Sequence, residues 1–142
     1  MMVSEVREFY DSIAADYDTI RFGRPYFQQI DRLERSYVLA RVRSGTEVLE
    51  IGPGTGRFTA EIVNRASSVT AVDVSEKMIE QLTMRVVSPR LISRHLAVED
   101  ISMLENYGKF DTVICMRVLP HLEDPTSALA RMCSAVKHGG NV

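Results

Sequence analysis

From Ser44 onward the chain alternates between short, nearly solid apolar runs and stretches in which apolar residues recur at helical spacing. Val48, Leu49 and Ile51 form one run, closed by Gly52-Pro53-Gly54-Thr55-Gly56, after which Phe58, Ile62, Val63 and Ala66 fall at helical intervals. That pattern predicts a strand, a glycine turn and a helix. Val69 to Val74 is short and β-branched, and Ser75 stands where it can cap a helix carrying Ile79, Leu82 and Val86 on one face. Pro89 stops that helix, Leu91 and Ile92 begin a third strand, and Phe110 to Met116 makes a fourth. Asp124 and Pro125 supply a cap and first-turn proline for a last helix carrying Ala128, Leu129, Met132 and Val136, which Gly139-Gly140 is expected to end.

Strands alternating with helices imply right-handed crossovers, and the unbroken apolar character of the first and fourth strands implies that both faces of the sheet are covered. The expected fold is therefore α/β, a doubly wound Rossmann-like parallel sheet with strand order 3-2-1-4 over residues 44–142. Residues 1–43 form a helical cap on the same single domain. In it, two helices are separated by the break around Gly23 and Pro25, the second with Ile30, Leu33, Tyr37 and Ala40 on one stripe.

Composition narrows the function. Seventeen basic and nineteen acidic side chains in 142 residues give a net charge of -2, so no global positive field draws the chain to nucleic acid or anionic lipid. Cys115 and Cys133 lack metal-ligand or redox spacing and the three histidines are scattered, so no metal site is expected. The first residues are too charged for a signal-peptide core, and no run approaches the ~18 apolar residues of a membrane span. A cytoplasmic location is expected.

The chemistry concentrates in Glu50-Ile51-Gly52-Pro53-Gly54-Thr55-Gly56. Glycines at alternate positions let the chain bend sharply and let a ligand lie against the main chain. Asp73 closes the second strand, and in a doubly wound sheet it reaches the same crevice as Glu50, where an acid suits a ribose diol. A dinucleotide fingerprint would need glycine at position 57, which is Arg57, and no Gly-Lys-Ser/Thr follows the turn as a phosphate-cradling loop requires. A carboxylate at Glu50 repels phosphates and tolerates an ammonium or sulfonium group.

At this point the chain resembles the class I S-adenosylmethionine-dependent methyltransferases of small-molecule type. Glu50 to Gly56 is similar to the family's glycine-rich first motif, Ala71 to Met78 to its second-strand motif, and Phe110 to Asn141 to its fourth-strand segment with the turn at Lys137-His138-Gly139-Gly140. Phe9 to Asp18 resembles the opening helix of small-molecule members. The resemblance implies S-adenosylmethionine as cofactor and a small-molecule methyl acceptor. Gly52, Gly54 and Gly56 would pass beneath the methionine and ribose portions, Asp73 would hold the ribose hydroxyls, and Val74 or Met78 would pack on the adenine. The loop at Val98-Glu99-Asp100 would meet the adenine edge, through the Val98 amide or the Glu99 or Asp100 carboxylate, since the usual acid is missing from Leu96-Ala97-Val98. Tyr17 would close over the cofactor. His121 and Tyr17 are the candidates for a base acting on the acceptor.

The family's sheet has seven strands. Here the last three are expected to be missing, leaving the apolar fourth strand with an open edge that a second copy or another protein would cover. Methyl transfer is the first functional expectation. The rival is a non-catalytic S-adenosylmethionine-binding module or regulatory subunit, or a truncated enzyme without activity.

Overall fold

The computed structural model describes residues 2–142. Five parallel strands form one sheet: β1 (Glu47–Ile51), β2 (Ser68–Asp73), β3 (Leu91–His95), β4 (Phe110–Cys115) and β5 (Val136–Asn141), in the order β3-β2-β1-β4-β5. The helices are α1 (Val3–Ile13), α2 (Tyr17–Phe22), α3 (Pro25–Arg41), α4 (Thr59–Ile62), α5 (Glu76–Arg85) and α6 (Pro125–Ala135). Short 3-10 turns occupy Val98–Met103 and Leu119–His121.

The period-two alternation of strand side chains divides the core into two layers. Val48, Val69, Ala71 and Ile114 pack with Val38, Ile62 and Leu82 on the face covered by α3, α4 and α5. Leu49, Ile51, Val72 and Val113 pack with Val98, Ile101, Ala128 and Met132 on the other. Glu50 belongs by parity to the first layer and is 2% exposed there, although it carries a carboxyl group. The chain runs outward from β1 through β2 to β3, then returns to lay β4 on the other side of β1. The crevice at the strands' carboxyl ends opens at that reversal.

Three expectations about the last part of the chain are corrected. The strand order does not stop at β4, because Val136–Asn141 pairs with it in parallel, Phe110 opposite Val136 and Thr112 opposite Asn141 across a register irregularity. The helix ends at Ala135, and Val136 is already extended at φ -84, ψ 146. A β-carbon on Gly140 would meet the Asp111 carbonyl oxygen at 2.9 Å, so this glycine permits a close approach to β4 rather than stopping a helix. Lys137 Nζ, 2.6 Å from Asp111 Oδ1, ties the two strands. The open β4 edge that called for a covering partner is therefore filled by the chain itself, and β5 is the edge strand.

In the cap, the opening helix breaks at Ala14–Asp16, so three helices precede β1 instead of two. The inward face of α3 is also not the expected stripe: Leu33 and Tyr37 are exposed, while Asp31 and Val38 are buried. Asp31 is buried because it accepts hydrogen bonds from Arg57 (2.6 Å) and Arg35 (3.0 Å), and burial of a charge is tolerable only with such partners. The desolvation of Asp31 is outweighed by these two guanidinium groups, which hold its carboxyl below the usual range. The helix after the glycine turn is shorter than its apolar spacing suggests, with only Thr59–Ile62 regular. No helix among the described residues is long and apolar enough to cross a membrane.

Candidate functional site

One cleft of about 150 Å³ lies at the carboxyl ends of β1, β2 and β4, roofed by α1 and α2. That is roughly ten times the space a single water needs, which suits an organic molecule rather than an ion. Of the residues singled out from the sequence, Tyr17, Glu50, Gly52, Gly54, Asp73, Val74, Met78, Val98, Glu99 and His121 all line it. Gly56 does not.

The three alternating glycines have three different surroundings. All adopt left-handed φ, at 67°, 56° and 81° in chain order. A β-carbon on Gly52 would collide with Val118, so its bareness lets the loop after β4 close on the turn. One on Gly56 would lie 2.5 Å from Leu82 Cδ1, so it packs the turn onto α5. One on Gly54 would have no protein atom within 4 Å. Gly54 is thus the glycine whose bareness faces open space in the cleft.

Asp73 organises the floor. Its Oδ2 accepts the Gly54 amide at 3.1 Å and its Oδ1 accepts the Ser75 amide at 2.9 Å, clamping the turn after β1 to the start of α5. Burial pushes its carboxyl up to about 6, against the pull of those two amides. Glu50 is deeper still and has one hydrogen-bond partner, the Thr59 hydroxyl at 2.6 Å. Burial pushes it up to about 7, and the nearby Asp73 adds to the rise. Neither acid has a cationic side chain within ion-pair distance among the described residues. Two desolvated carboxyls beside one cavity place a cation-compatible, donor-seeking surface there.

The roof is pinned by polar contacts. Asp11 of α1 accepts from the Ser75 hydroxyl (2.6 Å) and the Lys77 amide (3.2 Å), so α1 sits on the amino end of α5. Asp18 of α2 accepts from Thr55 Oγ1 at 2.8 Å and pairs with Arg85. Arg57, where a dinucleotide turn would have glycine, binds Asp31 and stacks over Phe22 at 3.7 Å, so it forms wall instead of making room for a pyrophosphate.

In the same cleft Tyr10 and His121, 111 residues apart, meet with Tyr10 Oη 3.0 Å from His121 Nε2 and their rings edge to face. Tyr10 also packs against Tyr17, with centroids 6.2 Å apart. Burial raises both phenols, so both stay neutral at physiological pH. Sequence reasoning found His121 and Tyr17 but missed Tyr10, because a tyrosine on an amphipathic helix carries no local mark of the histidine it will meet. It also missed Arg117, which lines the same cleft. Cys115 is half-buried, and burial pushes its thiol up to about 11, which leaves it inert.

A model of the methyltransferase domain family matches residues 49–142. The chain is 29% identical to a ubiquinone biosynthesis O-methyltransferase of Vibrio parahaemolyticus, across 98% of its own length and 60% of that relative's. It therefore spans about three-fifths of the curated relatives it matches over its full length. Among solved structures, the DhpI–SAH complex superposes with a TM-score of 0.79 at 26% identity, covering 97% of this chain and 65% of that one. The [4+2]-cyclase SpnF superposes at 0.80 with 20% identity, covering 96% and 57%, and shares the fold alone. With the match extending over more than half its length, on the sheet and turn that build the cleft, the chain belongs to the S-adenosylmethionine-dependent methyltransferase domain family.

Proposed function

We propose that this chain binds S-adenosylmethionine in the cleft and transfers its methyl group to an oxygen of a small-molecule acceptor. The observation that carries the reading is Asp73, a buried carboxylate without a cationic partner, clamped beside the one turn glycine that faces open space. The residues fit the cofactor: an ionised Asp73 accepts from a ribose diol, and bare main chain at Gly54 admits a bulky group. Two acids complement a positive sulfonium.

When bound, the cofactor supplies a methyl group on a sulfonium that is open to in-line displacement. The chain's own part is alignment and exclusion of water, from which very roughly 10⁵ M of effective molarity is available. Val74, Met78 and Val98 give the adenine an apolar berth, and Glu99 stands at its edge. Glu50 fixes the turn from below through Thr59 and contributes negative charge. Tyr17, on the roof helix α2, keeps solvent from the reacting atoms. Tyr10 and His121 hold the proton: an acceptor hydroxyl placed at Tyr10 Oη passes its proton through the phenol to His121 Nε2.

Oxygen as the acceptor atom is supported by that pair and by the name of the Vibrio relative. Calorimetric titration with S-adenosylmethionine and S-adenosylhomocysteine tests the reading, followed by transfer of labelled methyl to hydroxylated small molecules. Micromolar binding with transfer is expected. Binding without transfer to any acceptor leaves the non-catalytic module, and no binding to folded protein removes the proposal.

A further inference from the structure

Arg117 is the one non-glycine residue among those described with left-handed φ, at 62°, and it lies two residues beyond β4. The strain is held in place because Val118, the next residue, is wedged against Gly52. This backbone turn sends the Arg117 side chain to α3, where Nε donates to Glu34 Oε1 at 3.1 Å and Nη2 to Glu34 Oε2 at 2.5 Å. The third nitrogen, Nη1, is left over. It is the one buried side-chain nitrogen or oxygen among the described residues without a hydrogen-bond partner, in a side chain that lines the cleft. A charged donor that has lost water and gained nothing is costly, and such a group calls for a partner that arrives with a ligand.

The surroundings limit that partner. Arg57, the other arginine on the cleft, is spent on Asp31. Glu34 already neutralises Arg117, whereas Glu50, Asp73, Glu99 and Glu123 line the same cleft with no ion pair. An anion entering here meets more negative charge than positive, so a carboxylate or phosphate is disfavoured. A neutral oxygen accepts from Nη1 without that penalty. The same cleft is also lined by apolar Val3, Val6, Phe22 and Leu122.

We infer that Arg117 selects the methyl acceptor, its Nη1 donating to a second, uncharged oxygen on an apolar hydroxylated molecule. This rests on the methyltransferase reading, with Tyr10 and His121 receiving the hydroxyl that is methylated. Arg117 is then a binding residue for the acceptor, and the strained turn after β4 is what delivers it.

The test uses the protein with saturating S-adenosylhomocysteine, whose own titration is recorded first and decides the cofactor reading separately. Three probes differ in the second oxygen: phenol has none, 2′-hydroxyacetophenone adds a neutral carbonyl, and salicylate adds a carboxylate. Binding is followed by nitrogen-15 NMR on the Arg117 Nε–H signal. The ketone is expected to bind about ten-fold more tightly than phenol or salicylate and to be the one probe that moves that signal. Arg117→Met is expected to remove the ten-fold preference while the protein still binds S-adenosylhomocysteine. Arg117→Lys, which keeps a charge for Glu34 but loses the fork, is expected to do the same. Equal binding of phenol and ketone to the wild type, tighter binding of salicylate or inorganic phosphate, or a preference that survives both substitutions overturns the inference. The wild-type ranking stands as a test even if a variant does not fold.

Discussion

The Gly54 amide donates to Asp73 Oδ2 at 3.1 Å, joining residues 19 apart in sequence across the crevice between β1 and β2. The bond explains how one carboxylate serves two purposes. It fixes the turn at the cleft, and it stays buried where the proposed cofactor's ribose would lie. Removing it therefore perturbs binding through both the lost acceptor and the loosened turn.

Asp73→Ala is expected to weaken S-adenosylmethionine by about 10- to 100-fold, the loss of a charged hydrogen-bonding partner worth roughly 1.5 to 3 kcal/mol. Calorimetry at pH 7.5 checks it. Unchanged affinity would take Asp73 out of the site.

The pH dependence of binding has a definite sign. Asp73 titrates at about 6 and Glu50 at about 7 in the free protein, and a sulfonium with ribose hydroxyls favours both ionised forms. Affinity is expected to rise between pH 5 and 8 and to level above that. Glu50→Gln should remove the upper part of the rise and leave the part near pH 6. A flat profile from pH 5 to 8 would mean that neither acid contacts the cofactor's field.

Stability runs the other way. Glu50 moves from 4.5 when unfolded to about 7 when folded, so the folded state is favoured below 4.5 and loses that advantage as pH rises through 7. By pH 8 the buried charge costs up to about 3 kcal/mol. Urea titrations should therefore show Glu50→Gln gaining about 2 to 3 kcal/mol relative to wild type on going from pH 4.5 to pH 8. A pH-independent difference would contradict the burial of an ionised Glu50.

Substitutions at the turn glycines should separate binding from folding. Gly54→Val places a side chain where no protein atom lies within 4 Å, so the fold should lose only the left-handed backbone cost of about 1 to 2 kcal/mol while cofactor binding is blocked. Gly56→Ala meets Leu82 and should lower the melting temperature more than Gly54→Val, with the folded fraction still binding. Melting curves and titrations on both variants check the contrast. Binding by folded Gly54→Val would show that the ligand does not cross this loop.

Tyr10→Phe removes the hydroxyl that meets His121 and nothing else of comparable size. Transfer to a hydroxyl acceptor should fall by about 10²-fold or more, with the acid limb of the pH–rate profile displaced and cofactor affinity unchanged. An unaltered profile would remove the pair from proton transfer.

The strands, the glycine turn and the two acids were legible because each is local. A strand buried on both faces must be a nearly solid apolar run, as at Val48–Ile51, which Glu50 alone interrupts. A turn needing left-handed φ at alternate positions must be written in glycine, as at Gly52, Gly54 and Gly56. Position 73 follows from the sheet, since an acid ending β2 has to face the crevice that β1 shares. β5 was not legible, because Val136–Asn141 is polar and glycine-containing, and it is a strand only by virtue of the backbone groups that β4 offers. The buried face of α3 was also hidden. Hydrophobic spacing favoured Leu33 and Tyr37, and nothing in the helix itself says that Arg35 and Arg57 will neutralise Asp31 and allow it inside.

The sequence by itself therefore determined the α/β class, the crevice and most of the residues singled out as lining it, since hydrophobic periodicity and backbone conformation act over a few neighbours. Only the tertiary structure decided that β5 would close the β4 edge, that Tyr10 would meet His121, and that Arg117 would keep a donor free. Those outcomes depend on pairings between residues that are distant along the chain, and such pairings exist only once the sheet has formed.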